Sequence, residues 1–102
     1  MYSDTEKKQI AETIIQQMGG NKFKVMTGAK NFKYGISVWD NVYVEFSIPN
    51  RKVNRVNIEL MPSDDYNMTF YKGEIVVKRV DGIFFDMLQT AFTNVTGLYT
   101  HL

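Results

Sequence analysis

Cysteine is absent from this chain, histidine occurs once and proline twice. Without cysteine there is no disulfide, no thiolate metal ligand and no thiol nucleophile. The single histidine, His101, is the penultimate residue, where chain ends fray and hold catalytic geometry poorly. The usual zinc sites and the Ser-His or Cys-His arrangements therefore lack members, and no metal site and no cofactor is expected. No long apolar run is present, and the opening MYSDTEKKQI mixes acids with lysines, which predicts neither a signal peptide nor a membrane span and favours the cytoplasm. No Pro/Gly/Ser-rich stretch or charge block interrupts the 102 residues, so one domain covering residues 1–102 is expected.

What is present is apolar material, 44% of residues with 14% aromatic, enough for one core. The net charge of +1 hides an uneven distribution. Residues 21 to 58 hold seven bases (Lys22, Lys24, Lys30, Lys33, Arg51, Lys52, Arg55) against two acids, whereas residues 59 to 102 hold six acids and three bases. A basic zone concentrates anionic polymers near it, so the asymmetry bears on partners and not on fold.

Ser3-Asp4-Thr5-Glu6 has the form of a capping box. Ile10, Ala11, Ile14, Ile15 and Met18 follow at helical spacing until Gly19-Gly20, predicting a helix from about Asp4 to Met18. From Phe23 the apolar period changes to two: Phe23 and Val25, Ile36 and Val38, then Val42, Val44, Phe46 and Ile48. Asp40-Asn41 reads as a tight hairpin turn and Pro49-Asn50 as the next one. Further strands carry Val56, Ile58 and Leu60, then Tyr66, Met68 and Phe70, then Glu74 to Val80 after a turn at Lys72-Gly73. Asp81-Gly82 is expected to break the last strand, and a second helix to cover about Ile83 to Thr96 on a stripe that includes Phe84, Met87, Leu88 and Phe92. Short connections make neighbouring strands antiparallel. The predicted fold class is α+β, an antiparallel β-meander of about five strands flanked by an N-terminal and a C-terminal helix packed on one face.

Gly19-Gly20 and Gly28 do not make a phosphate loop, since neither phosphate-binding glycine pattern is present. Among carboxylates, Asp64-Asp65 reads as turn chemistry and Asp81 with Asp86 as helix capping, with a Mg²⁺ cluster as the weaker alternative. The segment Asn21 to Tyr34 interleaves Lys22, Lys24, Lys30, Asn31 and Lys33 with Phe23, Phe32 and Tyr34. Cations for phosphates beside rings for unpaired bases are the ingredients of a single-strand platform; the plainer alternative is a strand with lysines on its wet face. Arg51, Lys52 and Arg55 form a second basic patch in the following turn. Tyr43 and Tyr71 fall out of phase with the apolar faces of their strands, which places them on the open sheet face as candidate partner contacts.

Two segments, GGNKFKVMTGAKNF (Gly19 to Phe32) and FTNVTGLYT (Phe92 to Thr100), resemble a family of small phage and prophage proteins of unassigned role in which GGN(K/R)F…MTGAKNF and a terminal TGLYT recur. The resemblance implies a mobile-element origin and action in a host cell; it brings no catalytic or binding residues. Size, missing catalytic groups and exposed tyrosines then favour a non-enzymatic accessory protein that binds a host or phage protein or nucleoprotein complex, for instance as an inhibitor of a nuclease-based defence such as CRISPR. The alternatives are direct nucleic-acid binding through the basic residues, and a virion or assembly component that self-associates through the open sheet face.

Overall fold

A computed structural model of the chain describes residues 2–100, so His101 lies outside the described residues. The first helix, α1 (Asp4–Met18), begins in a complete capping box: the Glu6 amide donates to Ser3 Oγ at 3.1 Å, and the Ser3 amide donates to Glu6 Oε1 at 3.0 Å. Its stripe of Ala11, Ile14 and Met18 is buried. Gly19, at φ 122°, ends it and starts a second helix, α2 (Gly20–Thr27).

The period-two reading of Phe23 and Val25 is therefore corrected: this segment is helical. Phe23 is fully buried, while Val25 is 83% exposed, so the two residues lie on different sides of a helix and not on one face of a strand. Lys22 and Lys24 consequently belong to a helix. The helix stops at Gly28, whose φ of 72° is costly for any residue with a Cβ. A Cβ there would also stand 2.9 Å from Pro49 Cγ.

Five strands follow: β1 (Lys30–Ile36), β2 (Val42–Ser47), β3 (Arg55–Leu60), β4 (Tyr66–Lys72) and β5 (Ile75–Ile83). They form one antiparallel sheet in sequence order, so the predicted meander is observed. Val44, Phe46, Val56, Ile58, Met68 and Phe70 point to one face and are buried. Tyr43, Glu45, Arg55, Asn57, Glu59, Asn67, Thr69 and Tyr71 take the other, as alternation requires.

Two boundaries differ from expectation. The Asp40-Asn41 turn is a wider loop from Ser37 to Asn41 in which only Asp40 takes a positive φ, 66°. Asp81-Gly82 does not break the last strand: β5 runs on to Ile83 through a bulge, with Tyr66 opposite Ile83 and Met68 opposite Val80. Asp81 caps no helix; its Oδ1 accepts from Arg79 Nε at 2.8 Å. A 3₁₀ turn (Phe85–Met87) then leads into α3 (Leu88–Thr96), shorter than the predicted helix, and Phe84 and Met87 are exposed instead of joining its buried stripe.

The core lies between the sheet and the helices and centres on four phenylalanines. The Phe23 ring meets Phe46 edge-on at 5.3 Å and Phe92 at 5.5 Å, while Phe32 stacks on Phe46 at 5.2 Å. Edge-on and offset pairs of this kind add about 0.5–1.5 kcal/mol each beyond area burial.

Candidate functional site

A meander places alternate turns at opposite ends of the sheet. At one end, Lys30 on β1 faces Ser47 on β2, which faces Arg55 on β3. The loop from Ile48 to Asn54 joins those last two strands and carries Arg51 and Lys52. It is held by an Asx turn, with Asn50 Oδ1 accepting from the amides of Lys52 (2.9 Å) and Val53 (3.2 Å). Asn50 Nδ2 donates to the Thr96 carbonyl at 3.0 Å, which pins the loop to the end of α3. The two basic segments thus adjoin, and Gly28 rests against Pro49 between them.

The eight basic-zone candidates divide into two groups. Lys33, Arg55 and Lys24 are engaged within the fold. Lys33 Nζ lies 3.0 Å from Glu45 Oε2 and Arg55 Nη1 lies 3.1 Å from Glu45 Oε1. Arg55 also donates to the Gly73 carbonyl at 3.1 Å, and its guanidinium sits 3.9 Å from the centre of the Tyr71 ring. Lys24 Nζ stands 4.9 Å over Phe32. By contrast Lys22, Lys30, Arg51 and Lys52 are exposed and make no ion pair among the described residues. Asn31 is exposed, and its φ of 57° sits at the bulge between the Lys30 and Lys33 pairings, so its backbone explains its type.

Glu45 is 6% exposed although it lies on the open face. Burial pushes its carboxyl up, but hydrogen bonds from Lys33 and Asn57 and the charges of Arg55 and Lys33 bring it below the usual carboxylate range. The two tyrosines expected as partner contacts are half-buried and structurally employed. Tyr43 lies across Gly35, where a Cβ would come within 3.0 Å of its hydroxyl, and Tyr71 carries Arg55. The open face is thus largely a network satisfied within itself.

A series of exposed apolar residues lies elsewhere, along β5 and just beyond it. Ile75 (70%), Val76 (54%) and Phe84 (62%) are exposed, with Val77, Phe85 and Met87 beside them in sequence. Between β5 and α3 runs an open groove of about 530 Å³, floored by Val80, Ile83, Ala91 and Val95 and walled by Phe84 and Met87. A third exposed apolar feature is the β1–β2 turn, which carries Val38 (92%) and Trp39 (75%).

No protein-family model, no curated protein and no solved structure matches this chain.

The apolar band was not legible in the sequence because its residues mimic buried ones. Ile75, Val76 and Val77 are strong strand formers, and Phe84 and Met87 fit the spacing of the following helix. The available signal was position: a strand at the end of a meander has a free edge, and three consecutive β-branched apolar residues cannot all face one core. Among the described residues no group of three His, Cys, Asp or Glu comes together as metal ligands, and no helix is long and apolar enough to cross a membrane.

Proposed function

We propose that this chain is a non-enzymatic accessory protein of a phage or other mobile element that docks on a host or phage protein or nucleoprotein complex, with inhibition of a nuclease-based defence such as CRISPR as its specific form. One observation carries the reading: the exposed Phe84, Phe85 and Met87 after β5, together with the adjoining groove between β5 and α3. Soluble monomers rarely leave large contiguous apolar patches in water, and those that do use them for association. The likeness of the Gly19 to Phe32 and Phe92 to Thr100 segments to phage proteins supports the mobile-element part.

The test expresses the chain in bacteria whose CRISPR nuclease targets an infecting phage and counts plaques. Restored plaquing that is lost in a Phe84→Asp, Phe85→Asp double variant fits the proposal; unchanged plaquing with every nuclease tested overturns the defence-inhibitor form. Both phenylalanines are exposed, so the variant should fold.

A second reading, direct nucleic-acid binding, is favoured by the gathering of Lys30, Arg51 and Lys52 at one end of the sheet. Phosphate contacts by a few free cations would make affinity fall steeply with salt.

A further inference from the structure

The end of the molecule opposite the basic loops is built from the β1–β2 turn (37–41), the β3–β4 turn (61–65) and the exit of β5 (81–87). These three segments hold Asp40, Asp64, Asp65, Asp81 and Asp86 and no lysine or arginine. Asp81 is paired with Arg79; the other four carboxylates make no ion pair among the described residues. The same segments present Val38, Trp39, Phe84, Phe85 and Met87 to solvent. They are joined to one another. Asn41 Nδ2 donates to Glu59 Oε2 at 2.8 Å and lies 3.8 Å from Met61 Sδ, and the Gly82 amide donates to Asn67 Oδ1 at 3.2 Å beside Asp65.

We infer that this end is a docking surface for a basic protein surface containing an apolar pocket, with Trp39 as the anchoring side chain. The inference rests on the reading that the chain acts by binding a protein, and it names the chemistry of that partner.

The turn that carries the exposed Trp39 has an ordered backbone. The Ser37 amide donates to the Asn41 carbonyl at 2.8 Å and the Asp40 amide to the Ser37 carbonyl at 2.9 Å. Ser37 Oγ accepts from the amides of Trp39 (3.2 Å) and Asn41 (3.3 Å) and donates to Glu59 Oε2 at 2.9 Å. A turn ordered in advance loses little backbone freedom on docking, and tryptophan is among the side chains enriched as interface anchors. The carboxylates decide what the ring docks into. Nucleic acid and anionic lipid are repelled by them, whereas lysines and arginines around an apolar pocket are attracted and steered. The basic end of a second copy supplies the charge but no such pocket, because the depression there is lined by Lys33, Glu45, Asn54, Arg55 and Glu74.

Trp39 is the only tryptophan, so its emission reports this surface alone. The probes are a synthetic amphipathic helical peptide of lysine and leucine, its glutamate and leucine counterpart, a DNA duplex and phosphatidylglycerol vesicles. The lysine peptide should blue-shift Trp39 emission saturably, with about tenfold weaker binding in Asp64→Asn, Asp65→Asn. Followed by anisotropy of labelled peptide, Trp39→Ala should weaken binding by about tenfold or more. Lys30→Glu, Arg51→Glu should leave it unchanged. An equal response to the glutamate peptide, a response to DNA or vesicles, indifference to the aspartate variant, or oligomers that the same variants dissolve would each overturn the inference. Plaquing restored by wild type and by Trp39→Ala alike would sink this surface while leaving the proposed function standing.

Discussion

Glu45 sits between Lys33 and Arg55 and accepts from Asn57, so three side chains of the open face are organised by one carboxylate. Its carboxyl titrates below the ordinary value of about 4.3. A group with a depressed folded value contributes stability that is present above the unfolded value and lost as pH falls through the folded one. Wild-type stability should therefore decline from about pH 5 downward through this group, and Glu45→Gln should flatten that part of the profile. At neutral pH the glutamine variant leaves two cations facing each other without their shared anion. Because Lys33 is 65% exposed and water screens the loss, the expected cost is about 1–2 kcal/mol and not the larger value of a fully buried pair. Urea titrations of both proteins between about pH 3 and 7 measure it; equal stability at neutral pH would show that the Lys33–Glu45–Arg55 cluster holds nothing together. Arg55 matters here for a second reason. It holds Glu45, Tyr71 and Gly73 at once, so its reversal to glutamate would disturb the fold and could not isolate a binding role.

At the scale of elements, alternation and capping chemistry are enough for α1, β2, β3 and β4, because each of those segments repeats its signal several times; β1 is announced only by Ile36 and Val38, and Val38 lies outside it, 92% exposed in the 37–41 turn. Ile10, Ala11, Ile14, Ile15 and Met18 keep one spacing over two turns, and the even positions of β2 are all apolar. The segment Gly20–Thr27 resembles a strand in sequence because it offers one two-residue coincidence, Phe23 with Val25. The true helical contacts run through Gly20, Phe23 and Thr27, two of which carry no apolar signature. Asp81-Gly82 misled in a related way, since a bulge and a strand break use the same residue types. The basic residues of the candidate site are legible, but which of them are free is not, because nothing in the sequence shows that Glu45 on β2 pairs with both Lys33 on β1 and Arg55 on β3. The correction at α2 makes a paired prediction. Phe23→Ala removes a ring that touches Phe32, Phe46 and Phe92 and should cost about 3–5 kcal/mol. Val25→Lys should stay within about 0.5 kcal/mol, because that side chain is already in water. Thermal unfolding decides it: a strand with both side chains inside would make the two substitutions comparably damaging.

Over the whole molecule the charges are sorted along the strand direction. Lys30, Lys33, Arg51, Lys52 and Arg55 gather where β1, β2 and β3 meet the 48–54 loop, and five aspartates lie in the two turns and the last part of β5 and its exit at the other end. Such a dipolar surface orients the chain in the field of a charged partner even though its net charge is only +1. A nucleic acid would approach from the basic end, and a basic protein surface from the acidic one. The two readings of function therefore predict opposite consequences for one pair of substitutions. In Lys30→Glu, Arg51→Glu both side chains are exposed and unpaired among the described residues, so the fold should survive. If the chain grips phosphates, wild type should bind single- or double-stranded DNA or RNA at about 50 mM salt and lose affinity by orders of magnitude at about 200 mM, and the variant should bind neither. If the chain docks through the apolar and acidic surfaces, wild type and variant should both fail to bind nucleic acid, and the variant should restore plaquing as well as wild type does. Binding that survives both the salt and the variant would require contacts through bases or rings, and the exposed rings among the described residues include Tyr34 on β1 and Tyr99, three residues beyond the Thr96 carbonyl that holds the basic loop.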